Sequence, residues 1–447
     1  MKAFATRWQA PAYGKRMLWL AGGLPGAIIA GTMLSAAPAM AGGFYLQDQS
    51  TKASGRAFSG EVADQGAESL WWNPASIGGL EGGSAAISVT AILPRADVSN
   101  VNTLIVRPGQ APAPVGGDQT THNPINNGVL PSGSIAHGIG SHLSLGLAIT
   151  APYNFTTEYS PTSWARYTAM TTRLRTIDIQ PSIAAELAPG FSVGAAVNVE
   201  RATAYLSNAL PNLSPLLPDG SQALKGSGWD VGFSLGAQFH RGPISLGASY
   251  KSAITHTLNG SVTVAGLLGP LAGQNTTLNT SAQFTTPWQV NMGARYKITP
   301  GLTLNGSVTR YGWNNFKNIY LGAPLNTAMP ENYRNTWSYA AGFDADLSPT
   351  WTIRGGVQRD LTPVRGDQRD ARVPDSNRWN FAAGATHNFG KSFKIDAAFN
   401  YLTLDNGAVN RTTAAYAGTV VQTPILVNGA VTSPHVFILS LGGRVSF

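Results

Sequence analysis

From residue 83 to the C-terminus, apolar side chains alternate with small or polar ones in one short segment after another. In WDVGFSLGAQFH, Trp229, Val231, Phe233, Leu235, Ala237 and Phe239 oppose Asp230, Gly232, Ser234, Gly236, Gln238 and His240. In WSYAAGFDADL, Trp337, Tyr339, Ala341, Phe343, Ala345 and Leu347 oppose Ser338, Gly342, Asp344 and Asp346. Successive strand side chains point to opposite faces, whereas a helix would repeat near 3.6, so a period of two demands strands. Fourteen such segments can be read, near 83–93, 129–138, 141–150, 173–187, 191–206, 226–240, 243–256, 282–297, 302–312, 333–347, 350–360, 376–389, 391–404 and 435–447. Tight turns such as GIGS, APG, RGP, TPG and SPT alternate with long connections at 94–128, 151–172, 207–225, 257–281, 313–332, 361–375 and 405–434.

An even number of antiparallel strands, with short turns at one end and long loops at the other, is the pattern of an outer-membrane barrel. Each segment is long enough to cross, at roughly 9–11 residues per tilted span. Hydrocarbon offers no partner to an unpaired edge, so such a sheet must close on itself. A soluble β-sandwich also alternates, but its second face meets water and would carry Lys, Glu and Asp. Here that face is mostly Gly, Ser, Asn and Thr, and only 12% of the chain is charged, against about a quarter in soluble domains. Aromatics also fall at both strand ends (Trp229 with Phe239, Trp337 with Phe343, Trp379 with Phe389), as girdles at two interfaces require. The expected fold is all-β: a 14-stranded antiparallel transmembrane barrel over 83–447, closing on HVFILSLGGRVSF with its oily face toward lipid. That strand, ending on Phe447, is expected to be read by the barrel-assembly machinery, and the barrel to be a monomer in contact with membrane lipid and lipopolysaccharide.

Residues 1–41 read as a cleaved signal peptide. Lys15-Arg16 precedes an apolar run, and Ala39 and Ala41 stand at the small-residue positions before a cut. An uncleaved anchor is the alternative, disfavoured by Pro25 and the glycines of the run. Four of the eight net positive charges lie in this leader, at Lys2, Arg7, Lys15 and Arg16. The rest is too weakly basic to suggest a nucleic-acid partner. Zero cysteines exclude disulfides, thiolate metal sites and cysteine nucleophiles. No cofactor or metal is expected.

Residues 42–82 lack the alternation and carry Phe44, Tyr45, Leu46, Leu70, Trp71 and Trp72, too apolar for a solvated tail. Fourteen strands leave a lumen, and the inward side chains are small, so this segment reads as a plug; a periplasmic arm is the alternative. The segment resembles the hatch of the FadL family of long-chain fatty-acid channels: GGFYL with Phe44, GRAFSGE, then the triplet Asn73-Pro74-Ala75. GLAITAPYNFTTEYSPTSWARYTAM followed by TTRLRTIDIQPSIAAEL resembles that family's third strand, second outer loop and fourth strand. The resemblance implies a ligand groove between the third and fourth outer loops and a pocket inside the barrel lined by Phe44. It also implies a lateral gap at a kink in the third strand, with Asn73, Pro74 and Ala75 beside the gap. Gly146 and Pro152 both remain candidates for the kink.

The loops speak for a groove independently. Loop 207–225 and loop 257–281 hold Leu210, Leu213, Leu216, Leu217, Leu267, Leu268 and Leu271, and exposed apolar loops usually mark a binding surface; the alternative is that they pack on each other. A carboxylate head group calls for an arginine. Arg166 in SWARY is the candidate, with a loop salt bridge or lipopolysaccharide contact as its other reading. Two G-x-S-x-G matches, at 190–194 and 232–236, lie in alternating strands rather than the strand–turn–helix of a nucleophile elbow, so no enzyme is expected. Passive uptake of long-chain fatty acids is the expected function. Uptake of aromatic hydrocarbons by the same fold is the alternative, and a general porin a weaker one.

Overall fold

The computed structural model describes residues 43–390 and 392–447; the expected signal peptide lies outside them. Fourteen strands form one antiparallel sheet: β1 (Gly83–Asn100), β2 (Gly128–Ile139), β3 (Leu143–Thr150, resuming as Asn154–Glu158), β4 (Thr171–Ala188), β5 (Phe191–Leu210), β6 (Gly220–Arg241), β7 (Ile244–Lys251, resuming as Thr255–Ala265), β8 (Thr276–Thr285, resuming as Gln289–Thr299), β9 (Leu302–Tyr311), β10 (Thr336–Asp346), β11 (Trp351–Asp360), β12 (Arg378–Phe389), β13 (Phe393–Leu404) and β14 (Gly429–Ser446). Each strand pairs with its neighbours in sequence, and β1 pairs with β14 from Ser84↔Ser446 to Asn100↔Gly429. The sheet is therefore a closed barrel, as the alternation requires.

The two faces differ as expected. Ile87, Val89, Ile183, Val231, Phe233, Leu235, Leu439 and Leu441 are exposed on the outer wall, where only lipid could cover them. Trp229, Trp337 and Trp379 mark its long-loop edge, and Phe239, Phe343 and Phe389 its short-turn edge; all six are exposed. Several strands run further outward than their alternation reaches, β1 and β14 among them up to Asn100↔Gly429. β5 and β6 pair up to Leu210↔Gly220, and β7 and β8 pair up to Val264↔Thr276. Beyond the bilayer both faces of a strand meet water or other loops, so the apolar period that reveals a strand disappears there.

Residues 43–82 lie against the inward faces of the strands, buried nearly throughout up to Gly78. They form one turn of helix (Thr51–Ser54) and three short 3-10 turns, Glu61–Ala63, Ala67–Ser69 and Pro74–Ile77. Ion pairs join them to the wall. Arg56, fully buried, meets Glu61, Asp64 at 2.6 Å and Asp344 of β10 at 3.0 Å. Lys52 meets Asp64 and Glu68 at 2.7 and 2.9 Å, and Glu68 is held at 3.0 Å by Arg444 of β14. Carboxylates taken out of water are retained here because each has a cationic partner.

Candidate functional site

The ladder between β2 and β3 is interrupted. β2 and β3 pair from Ile139↔Leu143 to Gly133↔Ile149, then again only at Ile125↔Thr157. Between those points, residues 127–132 face 150–155 without ladder pairs. Two prolines fall inside this stretch, Pro131 in β2 and Pro152 in the break of β3. Neither has an N–H to donate, and proline is confined to edges and irregularities for that reason.

The N-terminal segment fills the opening. Leu46 N donates to Pro152 O at 2.7 Å, Gln49 Nε2 donates to Ala151 O at 3.2 Å, and Ala151 N donates to Gln49 Oε1 at 3.2 Å. From the other lip, Ser132 Oγ donates to Gln49 O at 2.8 Å. These bonds stand in for part of the missing ladder, chiefly on the β3 side, where hydrocarbon would offer the backbone no partner. The breaks in β7 and β8 are instead sealed by the wall itself: Ser252 Oγ accepts from Phe233 N at 2.9 Å, and Ile254 O accepts from Thr286 N at 2.9 Å.

Beside Phe155, at the end of the 150–155 stretch, is an apolar cavity lined by Phe44, Phe155, Leu174, Leu206, Leu258 and Phe284. Phe44 is 3% exposed and sits in an aromatic cluster, with ring centroids 5.8 Å from Tyr153, 5.8 Å from Phe155, 5.1 Å from Trp313 and 5.3 Å from Phe316. The free volume is small, about 70 Å³, so a ligand must displace side chains to enter. Towards the loops the lining turns charged, with Glu331, Asp370 and Arg372. Asp370 is taken by Arg411 at 2.8 Å. Arg372 has no carboxylate within 4 Å among the described residues and makes two long neutral bonds, to Thr172 Oγ1 (3.2 Å) and Asn208 Oδ1 (3.3 Å). Burial pushes its guanidinium below the usual arginine value and, together with the Asp370 carboxylate, pushes Glu331 up to about 8. This end of the cavity thus holds Arg372 beside the Asp370–Arg411 pair, with Glu331 3.6 Å from Arg411.

Several expected site residues stand elsewhere. Arg166 is not on the cavity: it pairs with Asp219 at 2.8 Å and stacks on Tyr167 at 4.5 Å, a tie between loops. A side chain that reaches a carboxylate nearby is spent there. Asn73, Pro74 and Ala75 are not beside the opening but against β5 to β7. Asn73 Nδ2 donates to Val62 O (2.8 Å) and Ala237 O (3.1 Å). A Cβ on Gly236 would come 1.8 Å from Asn73 Oδ1, and one on Gly194 would come 2.4 Å from Pro74 C. Those are the closing glycines of the two G-x-S-x-G matches, which therefore seat the triplet. Gly146 lies in unbroken β3 over Leu70 and Ile77, so the interruption belongs to Pro152.

The loop leucines divide. Leu210, Leu267 and Leu271 pack together with Leu213 and with Tyr416 and Val421 of the last long loop. Leu216 (92%), Leu217 (37%) and Leu268 (40%) stay exposed. Arg372 and Pro131 were not legible as site residues. Pro131 carried a signal, a proline inside an alternating strand; Arg372 carried none, one arginine among several in a polar loop.

Residues 32–437 match the family of outer membrane protein transport proteins (OMPP1/FadL/TodX). The chain belongs to this family. It is accordingly a β-barrel transport protein of the outer membrane of a Gram-negative bacterium. A FadL-family relative named long-chain fatty acid transport protein, from Escherichia coli O6:H1, is 24% identical over 416 residues, covering 84% of this chain and 90% of the relative. Among solved structures, a Pseudomonas aeruginosa FadL homologue superposes with a TM-score of 0.79 at 22% identity, covering 91% of this chain and all of that one. The Ralstonia pickettii toluene transporter TbuX superposes at 0.62 with 17% identity, covering 89% and 98%. At these identities the two structures speak for the fold.

Proposed function

We propose that this FadL-family barrel takes up long-chain fatty acids passively, through the apolar cavity and out sideways between β2 and β3. One observation carries the reading: consecutive residues form the floor of the cavity (Phe44) and the stopper of the wall opening (Tyr45 to Gln49). A ligand seated against Phe44 therefore pushes on the segment that closes its exit. Exposed Leu216, Leu217 and Leu268 would make the first contact, and the chain would gain about 0.8 kcal/mol per CH₂ buried. Segment 42–82 acts as the plug, which disfavours an open polar pore. The cationic end at Arg372 supports an acid over an aromatic hydrocarbon, and the fatty-acid relative agrees with that choice.

Two experiments test this. Purified protein is titrated with radiolabelled oleate and with toluene, alongside Phe44→Ala. Saturable oleate binding weakened by the substitution is expected, whereas binding of toluene alone would move the substrate class. Then Gln49→Cys and Ser132→Cys are introduced into the cysteine-free chain and oxidised. The lock is expected to stop oleate uptake by cells, reversibly on reduction, while binding persists. Unchanged uptake through the locked protein would remove the sideways exit.

A further inference from the structure

On the lipid-facing side of β4, β5 and β6 the apolar band ends in a cluster of cations. Outward residues of β4 run Leu187, Ile183, Ile177, then Arg175 and Arg173. On β5 the series from Phe191 and Val197 ends at Arg201, and on β6 the series from Phe239 and Val231 ends at Trp229, followed by Lys225. Cross-strand register brings these together. Arg173 pairs with Tyr205, and Tyr205 with Lys225; Ile177 pairs with Arg201, and Arg201 with Trp229. At strand spacings of ~4.8 Å and ~3.4 Å per residue, the four cations share a patch of about 10 Å by 14 Å.

The patch is poor in counter-charge. Arg173 meets Glu158 only at 3.5 Å, and that carboxylate is itself half exposed. Arg201 lies over the Trp229 ring at 5.6 Å and donates to Ser227 Oγ at 3.4 Å. Arg175 and Lys225 have no carboxylate within 4 Å among the described residues, and the Arg175 Nε is buried without a hydrogen-bond partner. Elsewhere on the same rim Arg310 and Arg359 form a smaller group of two, on either side of β10. Arg310 and Arg359 each cover a tryptophan at 4.7 and 5.1 Å, and Arg359 has Asp405 at 3.3 Å.

We propose that the outward face of β4 to β6 binds a phosphorylated lipid of the outer leaflet, its head group on Arg173, Arg175, Arg201 and Lys225 and its acyl chains along the apolar wall below Trp229. Guanidinium forks match phosphate oxygens in pairs, and each cation near a charged head group contributes enough to change affinity several-fold. The position at the boundary of the apolar band selects a lipid over a soluble anion, because only a lipid meets both parts of the surface. β4 also hydrogen-bonds the resumed part of β3, so the bound lipid would lie one strand away from the opening.

The test uses the purified full barrel in detergent, titrated with diphosphorylated lipid A and followed by native mass spectrometry. Three proteins are compared: wild type, the quadruple variant Arg173→Gln, Arg175→Gln, Arg201→Gln, Lys225→Gln, and a control carrying Arg310→Gln and Arg359→Gln. One lipid is expected to stay bound to wild type and control, with affinity at least about tenfold weaker in the quadruple variant and for lipid A stripped of its phosphates. Equal binding by the quadruple variant, equal loss in the control, equal binding of the stripped lipid, or displacement by inorganic phosphate at matched concentration would each overturn the proposal. Heat-dependent gel mobility reports whether the quadruple variant is folded. If it is not, Arg175→Gln and Arg201→Gln singly, each expected to cost about fivefold, decide the matter.

Discussion

Replacing Arg372 with glutamine separates recognition of an acid from recognition of an alkyl chain. The guanidinium sits on the cavity wall with neutral bonds of 3.2 and 3.3 Å, while the neighbouring Asp370 is held by Arg411 at 2.8 Å. It is thus a desolvated cation whose charge nothing adjacent fully answers, and a ligand carboxylate would answer it. A hydrogen bond to a charged group contributes about 1.5–3 kcal/mol net, so Arg372→Gln is expected to weaken oleate binding by about 10- to 150-fold. Glutamine keeps much of the volume and stays polar, so the apolar lining should survive. Oleyl alcohol, with the same chain and no charge, is expected to bind wild type and variant within about twofold. Calorimetric titration of both ligands into both proteins gives the four affinities. Equal losses for acid and alcohol would mean that the substitution damaged the cavity, and an unchanged oleate affinity would mean that the head group rests elsewhere.

Glu331 should make that affinity depend on pH. With its carboxyl raised to about 8, it is neutral at pH 7 and becomes an anion above that. Oleate binding is expected to fall by roughly fivefold as pH rises through 8, the effect of ~1 kcal/mol of like-charge repulsion, and Glu331→Gln should flatten the curve. The same raised value favours the folded loop below the ordinary glutamate range and loses that contribution as pH climbs through about 8. Thermal unfolding of wild type against Glu331→Gln checks the sign. Arg56→Met would leave buried Glu61 without its cation, whereas Asp64 keeps Lys52 and Arg295 and Asp344 keeps Arg295 and Arg354; a loss of about 3–5 kcal/mol should appear as a lower unfolding temperature and new conductance in planar bilayers. Gly236→Val puts a side chain where Asn73 lies 1.8 Å from a bare Cβ. It is expected to dislodge the triplet and leak small solutes, and an intact, non-leaking variant would show that Asn73 does not seat the plug.

The alternation was legible because lipid on one side and a lumen on the other impose opposite demands on successive residues along every span. WDVGFSLGAQFH could be read as β6 for that reason, and the girdle tryptophans followed from it. The same logic explains where the reading stopped. The outward extensions of β5 to β8 carry THTLNGSVTVA-like stretches that water permits on either face, so they were read as loops. Phe44 emerged as a pocket residue through its company in GGFYL, yet Arg166 and Arg372 are chemically alike in sequence. Only the fold spends one on Asp219 and leaves the other facing the cavity.

Local chemistry alone thus determined a closed fourteen-stranded wall, its oily exterior and a non-alternating segment of a size to fill it, since each follows from the period of neighbouring side chains and the solvent they meet. Tertiary structure decided which glycines receive Asn73, which leucines are used up in packing, and that Pro131 and Pro152 come to lie across from each other. Those outcomes depend on register between strands far apart in the chain. Register is set by closure of the whole barrel, not by any stretch of it.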